Sequence, residues 1–271
     1  MYNLNGQLTN TLDLSPDNRA FYYGDALFDT LKYKNNKYHF LELHYLRLLA
    51  GMRQLRMEIP SHFTLEFWNE ELYKLQDQSP NADLRYRTTV WRSAKGLYTP
   101  SGNDINYLIE TSVLNDQVKS TYRLGVYKNL SINADAFSHI KTTNRLPNVL
   151  ASIYAGEHEL DNVLLLNQHK NIACSTNANV FIVNQQSIYT PPISDGCLKG
   201  TIREVLLTQI PKHPSYSIEE KSLSITDIIS ADEVFLTNAI TSIQPVTHFK
   251  RKTYSTSVAK ALTELLQTLI V

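Results

Sequence analysis

Apolar positions recur along the chain at two spacings, and each spacing predicts a different kind of element. Recurrence every three or four residues predicts helices over residues 43–57, 64–76 and 256–269. Alternating or continuous apolar runs predict strands over residues 84–91, 105–111 and 162–166. Asn5-Gly6 and Asn35-Asn36 tolerate positive φ, so they predict two hairpins, the second joining strands over 21–33 and 38–41.

A polar segment without periodicity, residues 114–120, interrupts this pattern. It predicts a boundary between an N-terminal domain over residues 1–115 and a C-terminal domain over 121–271. A chain of 271 residues is long enough for two modest domains, each with its own core.

Another helical apolar run directly follows a lysine, Lys141. Leu146, Val149, Leu150, Ile153 and Tyr154 recur at helical spacing, which predicts that they form the packed face of a helix. Lys141 would then lie outside that face, on backbone that the helix holds in place. A partly dehydrated lysine amine is nucleophilic enough to form a Schiff base. By pattern alone, a solvated side chain is the more common outcome.

Composition narrows the class of protein. Lys+Arg and Asp+Glu are both 26, so nothing indicates a nucleic-acid or membrane-surface partner. Two cysteines form no disulfide framework and no metal-ligand cluster, which predicts a reducing compartment and no metal site. The N-terminus has no signal-peptide pattern and no apolar run reaches membrane-spanning length, so we expect a cytoplasmic protein.

The segment Lys141-Thr-Thr-Asn144-Arg145-Leu146 resembles the Schiff-base segment of the class IV aminotransferase family. That family comprises pyridoxal-phosphate (PLP) enzymes of fold type IV: branched-chain and D-amino-acid aminotransferases and 4-amino-4-deoxychorismate lyase. The resemblance implies that Lys141 is the catalytic PLP lysine. It also implies an α+β fold of two domains, a smaller N-terminal α/β domain and a larger C-terminal domain with a β-barrel-like core. PLP would lie between them, in a homodimer.

Other segments match the family in order and imply contacts to the cofactor. His44-Tyr-Leu-Arg47-Leu resembles the family's His-x-x-Arg-Leu helix, whose arginine binds the PLP phosphate. A guanidinium suits that task because it binds phosphate oxygens bidentately and keeps its charge; without the family, Arg47 would be a solvated helix residue. The resemblance places further cofactor contacts at Gly200, Thr201, Ile202, Thr237, Asn238 and Ala239.

One cofactor position departs from the family. Residues 172–181 resemble a segment that usually reads Thr-Glu-x-x-x-x-Asn-Leu-Phe, and Cys174 stands where the glutamate bonds the pyridine nitrogen of PLP. A thiol is a weak donor and acceptor, so electron withdrawal into the ring should weaken. Transamination should suffer more than elimination. Alternatively, Cys174 is only a small buried residue, and another group or water serves the nitrogen.

Substrate contacts are implied by two N-terminal segments. Residues 23–30 resemble the strand that lines the substrate side of the family's pocket, with Asp29 where glutamate is frequent and Lys32 where arginine is frequent. Residues 92–100 resemble the family's Arg-Gly-x-Gly-x-Arg-Gly-Tyr loop. The alternatives are an ordinary strand with an aromatic core face and an exposed basic loop. The implied substrate-binding residues are Tyr23, Phe28, Asp29, Lys32, Arg92 and Tyr98.

Within the family, Lys-x-x-Asn-Arg-Leu is most similar to the lyases. The resemblance therefore implies 4-amino-4-deoxychorismate lyase, which releases pyruvate and leaves 4-aminobenzoate for folate synthesis. Lys141 would remove the α-proton and later return protons. The alternative is a branched-chain or D-amino-acid aminotransferase, also acting on a small amino-acid-like substrate. A second alternative, suggested by Cys174, is a PLP-binding protein that has lost catalysis.

Overall fold

The structure, a computed structural model, describes residues 1–79 and 81–270. The chain forms two compact units, and one short segment departs from sequence order. Unit 1 consists of Met1–Asn115 and Ile140–Asn144, and unit 2 consists of Asp116–His139 and the chain from Arg145 onwards. The sequence predicts that residues 140–144 belong to the C-terminal domain, whereas the structure assigns them, with Lys141, to unit 1.

Unit 1 is an antiparallel sheet covered on one face by two helices. The sheet order is β2-β1-β6-β5-β3-β4. Its strands are β1 (Tyr2–Leu4), β2 (Gln7–Thr9), β3 (Ala26–Lys34), β4 (Lys37–Tyr38), β5 (Leu84–Arg92) and β6 (Ile105–Val113). Its helices are α1 (Arg19–Tyr23), α2 (Leu41–Gln54) and α3 (Leu65–Gln76). Both predicted hairpins form, with positive φ at Asn5, Asn35 and Asn36.

The prediction of a strand over residues 21–33 is wrong at its start. Residues up to Tyr23 form α1, and β3 begins only at Ala26. The side chain of Asn18 accepts a hydrogen bond from the Ala20 amide and caps the helix. Gly24 ends it with a φ of 60°, which favours glycine. These capping residues decide the local structure, although the aromatic run that follows Ala20 fits a strand.

Strand alternation gives the sheet of unit 1 two different faces. Leu27 and Leu31 of β3 share one face with Tyr86 and Val90 of β5, and this face packs against α2 and α3 in an apolar core. The other face carries more polar, mostly half-buried residues, among them Phe28, Thr30, Arg85, Arg87 and Thr89.

The returning segment pairs with the edge of β3. The Phe28 amide donates to the Lys141 carbonyl at 2.9 Å, and the Thr143 amide donates to the Ala26 carbonyl at 3.0 Å. Leu27 and Thr142 thus form an antiparallel bridge. The backbone of Lys141 is held by strand pairing on unit 1, and not by the following helix as the sequence predicts.

Unit 2 contains two five-stranded sheets, ordered β12-β11-β10-β13-β14 and β16-β15-β7-β8-β9. The strands are β7 (Arg123–Ile132), β8 (Asn162–Asn167), β9 (Ile172–Ser175), β10 (Asn179–Asn184), β11 (Ser187–Thr190), β12 (Ser217–Glu220), β13 (Glu233–Asn238), β14 (Ser242–Val246), β15 (His248–Phe249) and β16 (Lys252–Thr253). The helices are α4 (Leu146–Glu157), α5 (Thr201–Gln209), α6 (Ile225–Ser230) and α7 (Ser257–Thr268), with 3-10 turns at Ile193–Asp195 and Ile210–Lys212. Apolar residues of both sheets, such as Leu164 and Val234, share one core, as in the expected β-barrel-like domain.

The prediction for the face of α4 is wrong except at Tyr154, which packs against the cluster that contains Ala151 and Ala155. Leu146, Val149 and Ile153 are 66 %, 51 % and 53 % exposed, whereas Ala151 and Ala155 pack inward. Helical spacing identifies a face but not the side on which a partner lies, and small residues allow α4 to approach β7 and β8 closely. In the described part of the chain, no helix has the length and apolar character needed to cross a membrane.

Candidate active site

Lys141 lies beside an aromatic ring that it shares with an arginine. Its Nζ atom is 4.4 Å from the centroid of the Phe28 ring, and the Arg87 Cζ atom is 3.8 Å from the same centroid. Both cations interact with the electron-rich ring. Lys141 and Phe28 were predicted from the sequence, and Arg87 was not. The sequence feature that could have identified Arg87 is the alternation along β5, in which Arg85 and Arg87 alternate with buried residues.

The face of the unit 1 sheet that lies opposite the apolar core carries positive charge near Lys141. Arg87 lies opposite Thr30 and is half-buried, and Arg85 lies opposite Lys32 on the same face. The Glu110 carboxylate is the acidic partner of Arg87, at 3.6 Å. Burial lowers the pKa of Arg87 and the charge of Glu110 raises it. Because guanidinium groups bind carboxylates bidentately, this face suits a substrate with a carboxylate.

On the opposite face of β3, Asp29 joins two residues of α2. Its Oδ2 atom accepts a hydrogen bond from Arg47 Nε at 2.8 Å, and its Oδ1 atom accepts one from Arg47 Nη2 at 2.9 Å. His44 Nδ1 is 2.6 Å from Oδ1. Asp29 is 1 % exposed. The prediction that Asp29 contacts substrate is therefore not supported by this geometry, which gives its carboxylate to Arg47 and His44.

Electrostatics keep Asp29 charged and His44 neutral. Burial raises the pKa of the Asp29 carboxyl, but the charges of Arg47 and Lys141 and the hydrogen bond from His44 outweigh burial and lower the pKa to about 2. Burial lowers the pKa of His44 despite the adjacent carboxylate. A neutral imidazole beside a carboxylate carries its proton on the facing nitrogen, so His44 Nδ1 donates to Asp29.

Arg92, predicted to bind substrate, has protein partners for its guanidinium. Its Nε atom donates to Asp25 Oδ2 at 3.0 Å, and its Nη atoms donate to the carbonyls of Leu55 and Arg56 and to Asn103. The side chain is buried. This geometry favours a structural role over the predicted contact with substrate.

The two predicted tyrosines lie close together, with ring centroids of Tyr23 and Tyr98 5.6 Å apart. Tyr98 is 88 % exposed and lies in the loop after β5. Arg19 holds this loop, because its Nη1 atom donates to the carbonyls of Gly96 and Leu97. Both tyrosines remain candidates for contact with substrate.

In unit 2, the start of α5 forms a cradle of neutral donors. Gly200 precedes the helix, and no side chain in the described residues caps its N-terminus. A Cβ atom on Gly200 would overlap the Asn179 side chain, whose Nδ2 atom donates to the Leu198 carbonyl at 2.8 Å. Thr237 lies opposite Asn179 in the β10–β13 pairing, so it flanks the same segment. The first amides of a helix, with its positive dipole end, favour a phosphate.

Two hydroxyls at this cradle fit the phosphate of PLP. The Oγ1 atoms of Thr201 and Thr237 are buried and have no hydrogen-bond partner among the described residues. Buried hydroxyls are normally paired, so these two are suited to a bound anion. Ile202 is buried and can offer its amide only, and the Asn238 side chain accepts from the amides of Ile240 and Thr241. Ala239, predicted to contact the cofactor, lies within that turn.

Cys174, also predicted to contact the cofactor, lies on β9 opposite Leu165 of β8 and packs at the edge of an apolar cluster with Ala151 and Ala155. Burial raises the pKa of its thiol to about 12, although the nearby Arg145 charge lowers it. The thiol is therefore neutral near neutral pH. It cannot supply the carboxylate charge that the resemblance expects beside the pyridine nitrogen, so the fit to PLP holds for the phosphate but not for this atom.

Comparisons with known proteins agree on one family. The sequence profile described as Amino-transferase class IV matches residues 26–249. Aminodeoxychorismate lyase of Vibrio harveyi is 27 % identical over 235 residues, which cover 84 % of each chain. D-alanine aminotransferase of Bacillus licheniformis is 24 % identical over 271 residues, 97 % of this chain and 93 % of its own. A crystal structure of branched-chain aminotransferase from Thermoproteus uzoniensis has the same fold, with a TM-score of 0.89 at 20 % identity over 99 % of this chain and 94 % of its own.

Proposed function

Because the chain belongs to the class IV aminotransferase family, we propose that this PLP-dependent enzyme is a 4-amino-4-deoxychorismate lyase. The observation that carries the proposal is the placement of the Lys141 amine and the Arg87 guanidinium on one ring, that of Phe28. A base and a carboxylate-binding group are thereby held a short distance apart on unit 1. A substrate with an amine and a carboxylate meets both.

Unit 1 and unit 2, each taken by itself, contain candidate binding groups for the cofactor. In unit 1, Arg47 is the group for the phosphate, and the Lys141 amine is the point of covalent attachment. In unit 2, the amides at the start of α5 and the hydroxyls of Thr201 and Thr237 are donors for an anion. When bound, PLP draws electrons away from the α-carbon of an attached amino compound. Lys141 would then take the α-proton on Nζ and later give a proton to the pyruvate that leaves.

Cys174 supports elimination over transamination. Its neutral thiol gives the pyridine nitrogen no charged partner, so the electron sink is weaker than with a carboxylate. Transamination depends on that sink through a complete transfer of the amine, whereas elimination expels its leaving group early. The names of relatives divide between lyase and aminotransferase, so the alternative proposal is a branched-chain or D-amino-acid aminotransferase.

A homodimer is the proposed assembly. The apolar face of α4, formed by Leu146, Val149 and Ile153, is exposed, and exposed apolar patches frequently mark interfaces between proteins. A replacement of Ile153 by lysine should shift the sedimentation coefficient toward that of a monomer. Both cysteines are free thiols, which supports a reducing compartment such as the cytoplasm.

The deciding assay is pyruvate release from 4-amino-4-deoxychorismate with no 2-oxo acid present. The lyase proposal predicts steady turnover, and Lys141→Ala should reduce it roughly 100-fold or more. Arg87→Gln should raise KM for the substrate, whereas Arg53→Gln, on the exposed side of α2, should leave KM and kcat unchanged. Amine transfer that requires a 2-oxo acid, without pyruvate release, would favour the aminotransferase. Bound PLP with neither reaction would indicate lost catalysis.

A further inference from the structure

A charged carboxylate lies in the apolar core of unit 1. Asp29 lies between Leu27 and Leu31 on the same face of β3, and all three side chains face the core that α2 covers. Removing a carboxylate from water costs free energy that its charge partners recover only in part. A well-packed apolar residue at such a position is frequently no less stable. The presence of Asp29 therefore indicates a task other than packing.

The contacts of Asp29 determine the orientation of one guanidinium. Arg47 is held along one edge, through Nε at 2.8 Å and Nη2 at 2.9 Å to the two oxygens of Asp29. A planar group bound at two points along an edge cannot turn without breaking a bond. The opposite edge, with Nη1, then keeps a constant direction.

His44 supports the carboxylate from a second side. It lies one helical turn before Arg47 on α2, and its Nδ1 atom donates to Asp29 Oδ1 at 2.6 Å. His44 is buried and neutral, so it adds a hydrogen bond without adding a charge. The charged groups that act on Asp29 are Arg47 on α2 and Lys141 on the returning segment. Asp29 is thus fixed before any ligand binds.

We propose that Asp29 is a positioning residue which, supported by His44, holds the Arg47 guanidinium at the angle that binds the cofactor's phosphate. Asp29 itself contacts neither the phosphate nor the substrate. The proposal rests on the proposed PLP-dependent function, and it replaces the role in substrate binding that the sequence suggested for Asp29.

The test compares two ligands that differ only by the phosphate. Apo-protein is titrated with PLP and, separately, with pyridoxal, and each Kd is read from the fluorescence of Trp68 and Trp91. The wild-type protein should prefer PLP. Asp29→Asn puts an amide donor opposite an Arg47 donor, so its Kd for PLP should rise about tenfold. Its Kd for pyridoxal should stay within about twofold, because pyridoxal carries no phosphate for Arg47 to bind.

Three further variants make the test specific. Asp29→Glu keeps the charge and should retain most of the preference for PLP. His44→Phe keeps a ring in the core but removes the donor, so the preference should fall about threefold; it also serves if Asp29→Asn does not fold. Asp17→Asn breaks an exposed ion pair with Lys95 in the same unit and should change neither Kd.

Several results would overturn the proposal. Equal weakening of PLP and pyridoxal in both Asp29→Asn and His44→Phe would mean that Asp29 only supports the fold. An unchanged or increased preference for PLP would mean that Arg47 needs no positioning, or that the carboxylate merely neutralises it. A wild-type protein that shows no preference for PLP would refute the phosphate role of Arg47 and, with it, the proposed function. That failure is visible before any variant is measured.

Discussion

Unit 1 and unit 2 surround their candidate site residues with different chemistry. In unit 1 the groups are charged and their partners are distant in sequence, as in the contact of Arg47 with Asp29 and of Arg92 with Asp25. In unit 2 the groups are amides and hydroxyls at a helix start and a strand end, and Thr201 and Thr237 have buried hydroxyls without a partner among the described residues. Unit 1 orients charge by ion pairs, whereas unit 2 presents neutral donors through backbone geometry.

The largest expected effect separates two arginines of unit 1. Arg92→Ala should lower the free energy of unfolding by about 3 kcal/mol, because Asp25 would lose a buried charge partner. Arg87→Ala should lower it by less than about 1 kcal/mol, since Arg87 is half-buried and its ion pair with Glu110 is partly exposed. Urea unfolding measures both values, and KM for the substrate should rise only for Arg87→Ala. A rise in KM for Arg92→Ala, with a larger loss of stability for Arg87→Ala, would support Arg92 as the residue that binds substrate.

The second effect tests the backbone cradle of unit 2. Gly200→Ala would push a methyl group into Asn179, so we expect a loss of about 1–3 kcal/mol in the free energy of unfolding and weaker PLP binding. Gly156→Ala is the matched control, because among the described residues no atom outside its own helix neighbourhood lies within 4 Å of the added Cβ. On α4 this change should stabilise the protein by up to about 1 kcal/mol. Equal behaviour of the two variants would argue against a tight cradle.

The third effect is the pH dependence of the Asp29 cluster. The pKa of Asp29 falls from 3.8 to about 2 on folding, so its stabilisation is complete above about pH 4 and is lost as pH falls through 2. The size is roughly 2 kcal/mol. Burial also lowers the pKa of His44. The folded state therefore loses further stability as pH falls below 6.5, the usual pKa of histidine.

Urea unfolding from pH 7 to pH 2 measures this window. The difference between wild type and Asp29→Asn should shrink below about pH 4, while Glu264→Gln, exposed on α7, should follow the wild-type curve. A difference that stays constant to pH 2 would mean that the ion pair with Arg47 does not stabilise unit 1.

The smallest effect concerns the thiol of unit 2. Because burial raises the pKa of Cys174 to about 12, alkylation by iodoacetamide should be slow between pH 6 and pH 9, and Cys174→Ser should change lyase turnover only a few-fold. Cys174→Glu should raise amine transfer relative to pyruvate release. A ratio of the two reactions that Cys174→Glu leaves unchanged would remove Cys174 from the explanation of reaction type.

The sequence predicted those elements and site residues that belong to continuous motifs. The comparisons confirm the family and the fold. The helix starts and the strands at 84–92 and 162–167 follow from apolar spacing and turn residues, which act locally. The segment around Lys141 was recognisable because the motif is continuous.

Sequence did not predict partners that only strand pairing brings together. Arg87 reaches the Phe28 ring through the β3–β5 register, and Arg92 reaches Asp25 from the far end of the same strand pair. The prediction of which face of α4 packs inward was wrong for a similar reason, because that face is decided by the contacts of Ala151 and Ala155 with β7 and β8. These outcomes are set by tertiary contacts that a periodic pattern does not contain.

The most direct test of the central claim is to locate the covalent bond to PLP. The purified protein is reconstituted with PLP, reduced with borohydride, digested and analysed by mass spectrometry, with Lys141→Ala treated in parallel. We predict a yellow protein that borohydride bleaches, with the reduced cofactor on the peptide containing Lys141 and none fixed in Lys141→Ala. A cofactor fixed on another lysine, or no visible band with excess PLP, would contradict the assignment of Lys141.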